Sequence, residues 1–161
     1  MALALCLIGC ATQAVQDGQR SHSYAFDQPE LLATQRTFGV GNAVTRLGEA
    51  CADNAAASVS YTHWLSVNQT TFHEMTMLLA THYRLPPSSG DLEKRVAEKM
   101  HLQTQLSLSD AALSEACASL PDTLALPSMN LIARYQAVLA EVKNPDYLKP
   151  KKPNKTNDRE E

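Results

Sequence analysis

Apolar positions recur along this chain at steps of three and four, the spacing of one face of an α-helix. The clearest run extends from about Ser60 to Arg84. There Tyr61, Trp64, Asn68, Thr71, Met75, Leu78 and His82 alternate those steps, and Leu65, Phe72 and Leu79 widen the face. Pro86 and Pro87 end the run, and Ser88, Ser89 and Gly90 supply a turn. An earlier helix opens at Asp27-Gln28-Pro29-Glu30, with Asp27 placed to cap, Pro29 suited to the first turn and Glu30 at the capping-box position. It carries Leu31 or Leu32, then Val40, Val44, Leu47, Cys51 and Ala55, so Cys51 points inward. Gly39 and Gly41 interrupt it and mark a kink or a close approach to another helix. A third helix starts near Asp91 with Leu92, Val96, Met100 and Gln103 inside. A fourth is capped by Ser109, stapled by Leu108 and Leu113, and stopped by Pro121, with Cys117 inward. A fifth spans about Ser128 to Lys143, with Leu131, Tyr135, Val138 and Val142 on one side and Ile132 and Leu139 beside them. No segment shows sustained strand alternation. The pattern predicts an all-α, compact bundle of four to five helices with short loops over residues 28–143.

Composition narrows the classes of function. The 161 residues are 44% hydrophobic, which supplies one core, and no apolar run reaches the length of a membrane-spanning helix. The formal net charge of −3 argues against nucleic acid as a partner. Charge is uneven: residues 143–161 hold six Lys/Arg against four Asp/Glu, while the rest of the chain is acidic. With Pro145, Pro150 and Pro153 blocking helix, 144–161 reads as a disordered tail rich in Lys and Pro. Lys149, Lys151, Lys152 and Lys155 could meet anionic lipid or an acidic partner, and solvation of the tail is the simpler reading.

The N-terminus carries the strongest signal. Ala2 to Ile8 form a short uncharged apolar run, too short to span a bilayer and of the kind found in the middle of a signal peptide. It ends in Leu7-Ile8-Gly9-Cys10, which resembles the lipobox of bacterial lipoproteins. The first basic residue is Arg20, so 1–9 reads as the truncated end of a signal peptide. The resemblance implies that Cys10 is lipidated with diacylglycerol and becomes the mature N-terminus. It also implies that 10–27 is a polar tether. Ala11 after the cysteine implies the outer membrane, facing the periplasm. On that reading Cys6 leaves with the signal and Cys10 carries lipid. Cys51 and Cys117 then remain as an even pair in an oxidising compartment, expected to form one disulfide. Such a bridge closes a long loop, worth roughly 4 kcal/mol on the chain-entropy account.

Candidate chemistry is sparse. His63, His73 and His82 share a helix with Met75 and Met77, but at 100° per residue the three histidines do not form one face. His73 and Met77, four apart, are the one pair able to share a soft metal ion. His73-Glu74-Met75-Thr76-Met77 starts like a zinc-hydrolase helix, yet Met77 stands where the second histidine belongs. Gly39-Val40-Gly41 is not a dinucleotide fingerprint, and no nucleophile elbow or phosphate loop is present. Asn68-Gln69-Thr70 and Asn154-Lys155-Thr156 match glycosylation sequons, but Asn68 lies on the inward stripe, where a hydrogen bond between helices is expected. Trp64, the single tryptophan, is expected in the core. The expectation is a non-enzymatic, lipid-anchored envelope protein with no cofactor. It binds a protein partner as an accessory to a secretion or surface machine, or as an immunity-type inhibitor. The alternative is a periplasmic carrier of metal or a small ligand that uses His73 and Met77.

Overall fold

The structure, a computed structural model, describes residues 24–87 and 91–147. Among them five α-helices follow in order: α1 (Pro29–Ala50), α2 (Ala55–His82), α3 (Leu92–Lys99), α4 (Asp110–Leu124) and α5 (Leu131–Val142). A single 3-10 turn, Pro127–Met129, joins α4 to α5. The all-α bundle expected from the apolar periodicity is therefore the fold.

The bundle is built around α1, which touches each of the other four helices. A helix with neighbours on so many sides keeps only a narrow solvent face, here along Arg36, Val40, Ala43, Leu47 and Ala50. Leu31, Leu32, Ala33, Thr34 and Gln35 are buried in succession, followed by Thr37, Phe38, Gly41, Asn42, Val44 and Gly48. The single inward stripe expected from the sequence is thus too narrow. Val40 and Leu47 are half-buried, and Ala55 belongs to α2 and is exposed. A turn at Cys51–Asn54 separates the two helices, and the Asn54 carboxamide caps α2 by accepting from the Ala57 N–H at 3.0 Å. The second helix consequently starts five residues earlier than Ser60.

Two glycines let α1 and α2 approach. A Cβ on Gly41 would lie 2.5 Å from the Phe72 ring, and one on Gly48 would lie 2.4 Å from the Tyr61 ring. Phe72 cannot yield, because it is buried and stacked on Phe38 with centroids 5.2 Å apart. The expected close approach thus falls at Gly41 and not at Gly39, around which the space is open.

Other local expectations need correcting. Asp27 does not cap α1; the boundary residue is Gln28, without a side-chain cap. Glu30 does not close a capping box either, and its carboxylate meets the Lys143 ammonium at 2.7 Å instead. Both α2 and α3 end in a left-handed residue that is not glycine. Arg84 has φ 55°, with the Leu85 N–H donating to the Ala80 carbonyl, and His101 has φ 55°, with the Leu102 N–H donating to that of Ala97. Helix α3 therefore stops before Gln103, which is exposed outside it. Pro121 does not stop α4, which continues to Leu124. It forfeits one backbone bond in the last turn, while Leu120 and Leu124 pack into the core on either side. Leu108 is exposed and staples nothing, whereas Leu113 packs on the cluster around Cys51 and Cys117.

The boundaries of the body also shift. Ala25, within the stretch read as tether, is buried, and its N–H donates to the Gln35 carboxamide at 2.9 Å. Residues 144–147, at the start of the stretch read as tail, form a turn that puts the Tyr147 ring 5.6 Å from the Arg36 guanidinium. Residues 148–161 lie outside the described residues.

The two nearby glycines predict opposite responses. Gly39→Ala should raise unfolding free energy by up to about 1 kcal/mol through helix propensity. Gly41→Ala should lower it by about 1 to 2 kcal/mol, because overpacking outweighs that gain. Urea melts of the two variants measure both signs, and equal effects would refute the close approach.

Candidate functional site

Cys10, with the apolar run before it, lies outside the described residues. Cys51 and Cys117 form the expected disulfide, with Cα atoms 5.4 Å apart. It is buried between the end of α1 and the middle of α4, packed with Ala57 and Leu120. His73 is exposed on α2, and Met77, one turn on, is half-buried. Among the described residues no three His, Cys, Asp or Glu side chains converge on a common point. A metal held by His73 and Met77 would therefore have two protein ligands, short of the three or four of a dedicated site. His82 packs edge-on against Tyr83, with centroids 4.8 Å apart, and does not join His73.

Trp64 and Asn68 take the places expected of them, and together they position α5. They lie one turn apart on the inner face of α2. The Trp64 indole N–H donates to the Met129 carbonyl at 2.8 Å. The Asn68 carboxamide oxygen accepts from the Leu131 N–H at 2.8 Å, while its NH2 donates to the Trp64 carbonyl. A backbone donor at the start of α5 is thus satisfied from α2, and Asn130 satisfies another by accepting from the Ala133 N–H. This latch sets where α5 begins.

Beyond the latch, α2 and α5 leave a groove of about 230 Å³ with an apolar lining. Thr71, Glu74, Met75 and Leu78 form one wall, Ile132 and Tyr135 the other, and Thr34 of α1 contributes to the lining. Leu78 is 50% exposed and Ile132 53%, so two aliphatic side chains stand open to solvent. The sequence places both on or beside inward stripes. Periodicity identifies the apolar arc of each helix but not the gap where a third helix fails to fill it. On the opposite flank of α5 runs a second groove of about 420 Å³, lined in part by Ala137, Val138, Arg134 and Glu141.

A polar cluster lies elsewhere, where α3 meets α1 and α2. Burial pushes the Glu93 carboxyl above its ordinary value; the Arg46 charge opposes this and the Glu49 charge adds to it. Burial likewise raises the phenols of Tyr61 and Tyr83. At the exposed α1–α5 edge the Lys143 hydrogen bond holds Glu30 low. These shifts arise from packing and pairing.

Compared with known proteins, the chain matches no family model, no curated protein and no solved structure.

Two outcomes are expected. Asn68→Ala should cost about 1 to 3 kcal/mol, because it leaves the buried Leu131 N–H without an acceptor; denaturant melts with m-values check this. The raised Glu93 value means the folded state binds the extra proton. Stability should therefore rise as pH falls through the window just above the ordinary carboxylate range. Glu93→Gln should remove that rise from the pH profile of Tm.

Proposed function

We propose that this chain is a lipid-anchored protein of a bacterial cell envelope, an outer-membrane lipoprotein facing the periplasm. It acts without catalysis, as a protein-binding accessory factor of a secretion or surface machine or as an immunity-type inhibitor. The observation that carries the compartment is the disulfide between Cys51 and Cys117, since such bridges persist in oxidising surroundings. The lipobox-like Leu7-Ile8-Gly9-Cys10 supports the anchor. The apolar groove between α2 and α5 supports the binding role, because an amphipathic helix of a partner docks its apolar face into a groove of this kind.

Intact mass of the protein recovered from the membrane fraction of a Gram-negative host tests the anchor. The expected species begins at Cys10, is heavier by acyl groups, and gains two hydrogens on reduction. An unmodified chain with free thiols would end this reading. Crosslinking in native cells tests the binding role, with Ile132→Asp as the control. That substitution sits at an exposed position in the first turn of α5, where a carboxylate suits the helix terminus. It should abolish capture of an envelope partner while Tm stays within about 1 °C, a near-neutral surface change. Capture that survives it would move the binding surface elsewhere.

A further inference from the structure

The outward face of α2 is poor in charge for an exposed helix. Over 28 residues α2 carries one Asp, Glu, Lys or Arg, namely Glu74. A stripe of exposed positions runs the length of this face from Ala56 to Thr81. Its large apolar members are Val59, 72% exposed, Val67, 51% exposed, and Leu78. At 100° per residue the stripe occupies one arc about 100° wide, with the buried Phe72 on the opposite side of the helix. Depletion of charge around half-exposed aliphatics is the composition of an interface core.

The stripe is also palindromic about the midpoint of the helix, between Asn68 and Gln69. Consider two α2 helices packed antiparallel across a two-fold axis at that midpoint. Val59 of one copy then faces Leu78 of the other, and Val67 faces Thr70. His63 of one copy faces Glu74 of the other, and Ala56 faces Thr81. Val59 meets Leu78, Val67 and Ala56 meet the threonines Thr70 and Thr81, the one carboxylate meets an imidazole, and no two carboxylates meet. Neither His63 nor Glu74 takes an ion pair within the chain among the described residues. An isologous interface must be self-complementary in this sense, and a typical charged helix face fails the requirement by opposing like charges.

We infer that this face is covered by a second copy of the same chain, in a two-fold dimer built on antiparallel α2 helices. The helix has 28 residues and is about 42 Å long, so the stripe can run along a second copy over its whole length. This inference does not rest on the proposed anchor; because Glu74 and Leu78 also line the α2–α5 groove, a second copy on this face competes with a partner in that groove.

The test is the mass of the full chain in solution by sedimentation equilibrium. The wild-type chain should have twice its monomer mass at micromolar concentration. His63→Glu places two carboxylates together at two equivalent points of the dimer and should weaken it by at least about tenfold. Combining His63→Glu with Glu74→Lys exchanges the charges and should restore the dimer. Both positions are exposed, so helical circular dichroism should not change. A wild-type chain that stays monomeric at every concentration would overturn the inference and leave the face to a different chain. A dimer indifferent to His63→Glu, or one that the exchange fails to restore, would overturn it by placing the interface elsewhere.

Discussion

Helix α1 packs against all four others, and this packing imposes two demands. The first is width: neighbouring axes must come close enough to exclude water, and the aromatic rings of α2 must lie flat on the α1 backbone. Gly41 and Gly48, seven residues apart, leave the space that the Phe72 and Tyr61 rings occupy. The second demand is polarity, because a helix packed on several sides buries polar groups along with apolar ones. Gln35 answers it by accepting from the Ala25 N–H and donating to the Tyr83 hydroxyl, which ties the entry segment to the end of α2. Thr34 answers it by donating to the Glu30 carbonyl. The Thr37 hydroxyl and the Asn42 carboxamide oxygen are buried and find no hydrogen-bond partner among the described residues.

Helix α2 transmits the order of α1 to the rest. Its inner face stacks Phe72 on Phe38 and reaches past α1 with Trp64 and Asn68 to fix the start of α5. The Cys51–Cys117 bridge fixes the middle of α4 to the end of α1, while the Trp64 and Asn68 bonds fix the start of α5 against the first half of α2. A covalent tie and a hydrogen-bonded latch thus place the last two helices separately.

The helices and their inward residues were legible because periodicity reports burial directly. Cys117, Trp64, Asn68, Val96 and Leu131 all lie where that reasoning puts them. The sequence misleads where one helix has more than one buried face. The polar Thr34, Gln35 and Asn42 of α1 look like a solvent face, and only the packing of several helices on α1 buries them. Helix ends were less legible still. Left-handed residues at C-termini are usually glycine, and here Arg84 and His101 occupy them, so only Pro86 and Pro87 marked the stop of α2 and nothing in the composition marked that of α3. The groove was illegible for a third reason. It is defined by what is missing between α2 and α5, and no single-helix pattern records an unfilled space.

The distribution of restraints gives α5 a particular character. Its N-terminus is held by the Trp64 and Asn68 hydrogen bonds and by the buried Leu131, the one fully enclosed side chain of the helix. Its C-terminal half is held to α1 by Lys143 with Glu30 and by Arg36 with Glu141, pairs whose carboxylates are more than half exposed. Exposed ion pairs of this kind contribute roughly 0.2 to 1 kcal/mol each and weaken with salt. The helix is thus latched at its N-terminus, laid along α1 and flanked by grooves on both sides. Neither groove is lined by Gly41, Gly48, Phe72 or Tyr61. The proposed binding role therefore requires no disturbance of the glycine-lined contact between α1 and α2 on which the fold depends.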